Sequence, residues 1–565
     1  LVEEVSPTPV ITLHRKKLSK YVDRKLTLSE MTEWLPWLGF DIEEVGEDHV
    51  KVEFNPNRID FSSYSGIARA FRGLRGWETG LPTYNVREGG TLLRIEDAVS
   101  EVRPYMLAAV IRGIELDEDG VVDLMEMQED LHWGVGRDRR KASIGVHNLD
   151  AVKAPFTYTA VPPDSAEFIP LNTREKMSLM EVLDKHEKGA AYRHLVDHSD
   201  RFPLLIDSEA KVLSMPPIIN GELTRVDEET RNLFIDVTGT DQLSVEKSLN
   251  VLTTALAEMG GSIEAVEVKC SDRKLFSPDL SPQIMKLRTA YASRTLGLKL
   301  SEDAVTKCLE RCRLGVKSLR TGLLEVKIPP YRIDILHEID LVEEVAIGYG
   351  YNRFTPTFPS SVTIGEEDCT LKLADGVRKI MVGLGFIEVV NFTLTNENHH
   401  FEKMRKETEP CVKLANPVSS EYTIMRTSLL PTLMRNLADN RHESFPQKLF
   451  EVSDVVCLNK DRETGCERRL HMASVVSYSA ASFTEIKSIA EALLLNMDLG
   501  PRRFNVAESP SFIDGRAASI TCGAKGRTAH VSLGLVGEIH PEVLNNFGLE
   551  APVAAFEFDL QDLVE

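Results

Sequence analysis

No stretch of this chain reaches the roughly 18 uninterrupted apolar residues that a membrane-spanning helix needs, so its 565 residues must bury their apolar side chains in cores of their own. A chain of that length is expected to form roughly three to five domains. Its 42% hydrophobic and 27% charged content is ordinary for globular proteins. The opening Leu1-Val2-Glu3-Glu4 has neither the basic n-region nor the apolar h-region of a secretory signal. Eight cysteines are scattered, and only Cys308 and Cys312 lie close, one helical turn apart on a stripe with Val305 and Leu309. A redox pair is the alternative, but with no CxxC spacing neither that nor a zinc site is indicated, and a reduced, cytoplasmic setting is expected. The formal charge of −21 excludes a surface that wraps nucleic acid everywhere. Any such contact must be local or shared with a partner.

The pattern along the chain predicts an α+β multidomain protein. Residues 1–90 read as an α/β module, with a helix over 28–38 capped by Thr27 and Glu30 and closed by Gly39. The polar, glycine-bearing segment 85–91 reads as its boundary. Residues 91–272 mix strands at 106–111, 143–146, 204–206, 212–215 and 233–237 with a helix over 245–259 that stops at Gly260-Gly261. Residues 273–353 hold a helix over 302–312 and a strand over 326–328. Residues 354–565 alternate amphipathic helices with strands, as an antiparallel sheet covered by helices would.

The most specific local chemistry lies between Arg332 and Glu344. On a helix Asp340 meets Glu343 and Glu344 at i+3 and i+4, while Ile339, Val342, Ala346 and Tyr349 fall on the opposite face. Asp334 lies about a turn and a half earlier, where its charge suits the positive end of the helix dipole. Converging carboxylates repel one another unless a cation neutralises them, and such oxygen ligands suit Mg²⁺. A solvated acidic face is the alternative. Two basic series invite a nucleic-acid reading beside a plain surface one: Arg137 to Lys141, and Arg69, Arg72 and Arg75.

Several stretches together resemble the β subunit of phenylalanine–tRNA ligase, archaeal/eukaryotic type. Arg332, Asp334, Ile335, Asp340, Leu341, Glu343 and Glu344, followed by Gly348-Tyr349-Gly350-Tyr351, match the hallmark of its fifth module (B5). Asn55-Pro56-Asn57-Arg58 and Gly66-Ile67-Ala68-Arg69 resemble its N-terminal module (B1). Pro216 to Asn220 and Asp236 to Thr240 resemble its editing module (B3/B4). Asn416-Pro417, Met425 to Pro431 and Phe450-Glu451-Val452 resemble its catalytic-like module (B6/B7). The set runs in order over nearly the whole chain.

The resemblance implies a winged-helix-like fold for 273–353 and a class II synthetase-like core for 354–565. It implies Mg²⁺ at Asp334, Asp340, Glu343 and Glu344, in a site shared with an α subunit, and assembly of two α and two β chains acting on tRNA(Phe). Class II enzymes hold ATP with an Arg-x-Glu on strands and a later glycine-rich Arg motif. After Phe386 no Gly-x-Gly occurs, and Arg441-His442-Glu443 ends a helical run. ATP is therefore expected at the α subunit.

Tyrosine differs from phenylalanine by one hydroxyl, which an apolar pocket rejects only about 10²-fold. A second site that requires the hydroxyl discriminates better. The resemblance places that editing pocket at Leu205, Ser214, Asp236 and Thr238, with Asn220 and Glu222 as further candidates. Leu205 would line it, Ser214 and Thr238 would bond substrate or water, and Asp236 would meet the amino group or orient water. A regulatory or RNA-binding paralogue, and a metal-dependent hydrolase centred on 334–344, are the rival readings.

Overall fold

The computed structural model of the chain describes residues 9–271, 273–358, 363–500, 502–523 and 530–564. The readings made of Leu1 to Glu4 and of a boundary at Asp272 fall outside them. The chain divides into two compact units, residues 1–357 and 358–565.

In the first unit, Thr27 and Glu30 form a reciprocal capping box, with bonds of 3.1 and 3.0 Å to each other's backbone N–H. The helix expected over 28–38 is shorter, Leu28–Trp34, and continues as a 3₁₀ turn Leu35–Leu38. Pro36 is the reason: it has no N–H to donate back along an α-helix. Gly39 closes the segment at φ +92°, a conformation open to glycine. Three strands, Val10–His14, His49–Phe54 and Phe40–Val45, form a small sheet with His49–Phe54 in the centre.

The segment read as a boundary at 85–91 instead begins the strand Val86–Ile95, which pairs in parallel with Ser262–Lys269. Gly89 marks a close approach rather than a turn. A Cβ at Gly89 would lie 2.4 Å from the Ala265 carbonyl oxygen, beside a break in register. One continuous core then joins Leu13, Phe61 and Phe71 to Leu252 and Ile263.

This strand belongs to a ten-stranded sheet whose path starts with Ile219–Asn220, Val212–Met215 and Phe202–Ile206, and ends with Tyr105–Arg112, Asn232–Gly239 and Ala142–Asn148. The helix Gln242–Glu258 packs Val245, Leu249, Leu252 and Leu256 against Leu233, Ile235 and Val237. The alternate residues Phe234, Asp236 and Thr238 therefore face the other way, and Phe234 joins a second core with Tyr158 and Leu205. The two ends of the sheet meet. Asn220 Nδ2 donates to the Val146 carbonyl at 3.2 Å, and Arg139 Nη1 donates to the carbonyls of Pro217 and Ile218 at 3.2 and 3.0 Å.

Residues 283–349 form a three-stranded antiparallel sheet, Gln283–Arg288, Leu323–Ile328 and Gly315–Arg320, with Leu323–Ile328 central. Helices Thr289–Leu296, Glu302–Arg311 and Glu338–Tyr349 pack with it around Leu309, Val326, Leu341 and Val345.

The second unit is built on a seven-stranded sheet, antiparallel except for the short edge strand Ile387–Glu388. Helices Cys369–Gly383 and Phe483–Asn496 contribute to one core, and Leu430–Asp439 and Pro541–Phe547 to another. Of the apolar stripe on the first of these helices, Val377 and Met381 are fully buried, whereas Leu371 is exposed. In the sheet, His471 Nδ1 lies 2.8 Å from Glu557, and its Nε2 lies 3.6 Å from Asp559. Burial alone would lower the histidine's pKa, but these two acids hold the imidazolium and raise it to about 9. A raised pKa means stability that is fully present below the unfolded value of about 6.5 and lost as pH climbs through 9. His471→Gln is therefore expected to cost about 3 kcal/mol near pH 6 and almost nothing near pH 10, read as urea midpoints of the two proteins.

Candidate functional site

Where the two ends of the large sheet meet, they line a cavity of about 320 Å³. Asp236 lines it from the strand Asn232–Gly239 and Ser214 from Val212–Met215, with Gly145 between them on Ala142–Asn148. Asp236 Oδ2 lies 2.8 Å from Nε2 of His147, whose Nδ1 is 2.7 Å from the Thr224 hydroxyl. All three are buried. An ionised carboxylate accepts, so His147 Nε2 carries a proton; the Thr224 hydroxyl can then accept from Nδ1–H or donate to it. Either way, His147 fixes one oxygen of Asp236. Register makes this possible, because Gly145 lies directly opposite Asp236. A Cβ at Gly145 would come within 2.1 Å of Asp236 Oδ2 and 2.7 Å of His147 Nε2.

The Ser214 hydroxyl is buried without a hydrogen-bond partner. Burying an unpaired hydroxyl costs about 1–3 kcal/mol, a cost that a ligand group able to bond it would remove. On the rim, Arg139 Nη2 bonds Glu129 at 2.8 Å, and His132 Nδ1 lies 3.6 Å from the same carboxylate. Burial pushes Glu129 up, yet His132 and Arg139 together hold it well below the usual carboxylate range.

Of the four residues expected to form the pocket, Ser214 and Asp236 line this cavity, and Leu205 and Thr238 do not. Leu205 pairs directly with Ser214 in register, but its side chain belongs to the core with Tyr158 and Phe234. Thr238 accepts from Arg103 Nε at 2.9 Å and lies 3.0 Å from the Ser143 hydroxyl. Asn220 lines the cavity, while Glu222 accepts from the Asn172 backbone at 2.8 Å and pairs with Arg225 at a turn. His147, Gly145 and Thr224 carry no local motif. The one signal was the alternation of Gly145 and His147 on a strand, which acquires meaning only when Asp236 lies beside it.

The first basic series, Arg69, Arg72 and Arg75, is committed inside the protein. Arg69 is buried, bonds Glu258 at 2.8 Å and lies 3.4 Å over the Tyr331 ring. Arg72 bonds Glu78 at 2.8 Å, and Arg75 stacks over Trp34 and Trp77. In the second series Arg139 is buried, while Arg137, Arg140 and Lys141 are exposed. Arg137, Asp138 and Arg139 all take left-handed φ values, 49°, 53° and 62°. Three such residues in succession cost about 1–2 kcal/mol each.

The carboxylates of 334–344 do not converge. The helix starts at Glu338, later than Asp334. Arg332 reaches Asp334 Oδ2 and Glu344 Oε1, each at 2.6 Å, and all but buries both carboxylates with itself. Asp340 turns back to accept from the N–H groups of Leu336 and His337, both at 2.7 Å. Glu343 is exposed and Glu344 buried, while Ile339, expected to pack, is 45% exposed. No three of the four carboxylates bring an oxygen each within 4.8 Å of the others; among the described residues that geometry occurs at His14, Asp48 and His49. As arranged, the set does not fit an Mg²⁺ ion held by these four residues alone. The neutralising cation is Arg332. All eight cysteines are free thiols, and Cys312 Sγ donates to the Glu344 carbonyl at 3.3 Å.

Comparison with known proteins gives these features a context. Residues 355–560 match the family model of the phenylalanyl tRNA synthetase beta chain CLM domain, and residues 285–351 match that of the tRNA synthetase B5 domain. The phenylalanine–tRNA ligase beta subunit of Methanothrix thermoacetophila is 43% identical over 98% of this chain and 99% of its own. That of Archaeoglobus fulgidus is 44% identical over 98% of each. The crystal structure of an N-terminal fragment of the phenylalanyl-tRNA synthetase beta subunit from Pyrococcus horikoshii covers 61% of this chain at 37% identity, with a TM-score of 0.59. With that identity sustained from end to end, the chain belongs to the family of phenylalanine–tRNA ligase β subunits, and is one subunit of an aminoacyl-tRNA ligase.

Proposed function

We propose that this chain proofreads the product of its partner, hydrolysing Tyr-tRNA(Phe) in the cavity that holds Ser214 and Asp236, while an α subunit carries the ATP-dependent synthesis. The observation that carries the reading is the buried, unpartnered Ser214 hydroxyl in a cavity beside a carboxylate fixed by His147. A polar group left unpaired until the substrate's own polar group arrives is what selection for an added hydroxyl requires. Asp236, with one oxygen held by His147, is placed to receive the substrate ammonium or to orient the attacking water. No serine or cysteine nucleophile with an adjoining base lines the cavity, so water is the nucleophile in this reading.

Partnership with an α subunit is supported by apolar side chains left at the surface of the second unit. Ile387, Val390 and Phe392 are 66%, 85% and 75% exposed, and exposed groups of this kind mark association surfaces. An assembly of two α and two β chains in the cytoplasm follows the resemblance. Burial, and then Glu344, Asp334 and Asp340, raise the pKa of Glu343. That excess negative potential is one a cation such as Mg²⁺ shared with α would relieve.

The test measures charging of tRNA(Phe) by this chain, by the α chain and by the mixture, and then deacylation of Tyr-tRNA(Phe) by the mixture. Charging only in the mixture, with hydrolysis of the tyrosyl but not the phenylalanyl ester, is the expected result. Charging without hydrolysis would remove the proofreading role and leave the ligase subunit. No gain in charging on mixing would favour the regulatory paralogue.

A further inference from the structure

A second cavity, of about 170 Å³, lies beside the first and has no carboxylate in its lining. Its polar walls are Arg103, Arg140, His194, His198 and Thr240, and Pro217 is common to both cavities. Arg103 is only 4% exposed, and a guanidinium so buried is ordinarily neutralised by an acid. Here its hydrogen-bond partners are neutral: the Thr238 carbonyl at 2.8 Å, the Arg139 carbonyl at 3.1 Å, and the hydroxyls of Thr238 and Ser143 at 2.9 and 3.1 Å. Its Nη1 reaches only the Arg140 carbonyl, at 3.5 Å, beyond the usual range of a good bond. Burial lowers its pKa to about 10. Donor capacity is left over at Nη1, and Asp236, the carboxylate whose field reaches Arg103, makes no hydrogen bond to it.

The left-handed turn at 137–139 links the two cavities. It sends Arg139 to the wall of the larger one and Arg140 to the wall of the smaller. Arg139 and Arg140 are neighbours in the chain and Pro217 lines both cavities, so the two cavities adjoin. Strained backbone of this sort persists where its surroundings impose it, and it clusters at ligand clamps.

We propose that the smaller cavity seats a phosphate of the aminoacylated RNA, the one joined to its esterified terminal nucleoside, and so places the ester in the larger cavity. This rests on the proofreading reading of that larger cavity. Arg103 Nη1, the Arg140 guanidinium and the imidazole N–H groups of His194 and His198 are the donors, and the phosphate supplies the directly bonded anion that Arg103 lacks.

The experiment uses the complete complex of this chain with α and measures Tyr-tRNA(Phe) deacylation, with adenosine and adenosine 5′-monophosphate as competing inhibitors. For the native complex the monophosphate is expected to inhibit at a concentration roughly 10-fold below that of adenosine. A variant with Arg140→Ala, His194→Ala and His198→Ala should lose that difference. Its KM should rise roughly 10-fold at nearly constant kcat, and the salt dependence of kcat/KM should flatten by about one phosphate contact. Arg140→Lys should keep most of the effect, which a packing role would not predict. Equal inhibition by the two compounds in the native complex would overturn the proposal. So would an unchanged KM in a triple variant whose urea midpoint matches the native one. If the native complex hydrolyses no Tyr-tRNA(Phe), the proofreading reading fails separately. Calorimetry of the two compounds on the full chain then decides the cavity, and equal binding overturns it.

Discussion

Arg332→Met is expected to destabilise the 1–357 unit by about 3–5 kcal/mol, the largest stability effect foreseen for a single substitution here. The guanidinium is 3% exposed and bonds two carboxylates that it covers, Asp334 and Glu344. Burial would raise the pKa of Asp334, but Arg332 outweighs that and brings it to about 2. Removing the cation leaves two buried negative charges facing each other, and they must either protonate or draw water inward. Paired replacement by Arg332→Met and Glu344→Gln should recover part of the loss, because the repulsion goes with the charge. Urea unfolding near pH 7 measures both effects. Since the Asp334 pKa is depressed, the advantage of the native protein over Arg332→Met should persist above pH 4 and fade as pH falls through about 2. An effect below about 1 kcal/mol would mean that the carboxylates find another cation, and Mg²⁺ would then be the first to test, by repeating the measurement with and without a chelator.

The largest effect on activity is expected at Asp236. Asp236→Ala should lower Tyr-tRNA(Phe) deacylation by about 10²–10³-fold, in the range by which single acid–base or electrostatic groups contribute. Charging of tRNA(Phe) with phenylalanine should stay near the native rate. That unchanged charging serves as the internal control for folding and assembly. Gly145→Ala tests the same point without touching the carboxylate. Its added methyl would sit 2.1 Å from Asp236 Oδ2, so Asp236 or the strand must shift, and hydrolysis should fall with Asp236 still present. Hydrolysis by Gly145→Ala at the native rate would show that the bond from His147 does not set the position of Asp236.

Local order was legible wherever one segment carried the whole signal. The capping box at Thr27 and Glu30 and the stop after the helix Gln242–Glu258 involve residues within a few positions of one another. The strand Val86–Ile95 was hidden because glycine marks a turn and a close approach alike, and only the distant Ala265 carbonyl distinguishes them. Ser214 and Asp236 were reached through family resemblance rather than spacing. His147 escaped, since its partner is 89 residues away.

The acidic helix shows the same division. Sequence alone determined that Asp340, Glu343 and Glu344 fall within one turn and that Val342 and Ala346 pack, but not that Leu341 and Val345 pack or that Ile339 is exposed. It also determined the family, through motifs ordered along the whole chain. The tertiary structure decided what neutralises the charge. Arg332 is 12 residues from Glu344 and reaches it only because the chain bends before Glu338. The structure likewise decided that the ends of the ten-stranded sheet meet and bring Ser214 into one cavity with Asp236. Helix periodicity and capping are set by short-range sterics and hydrogen bonds, which a sequence displays directly. Charge pairing and cavity walls depend on contacts between distant segments, and those exist only once the cores have packed.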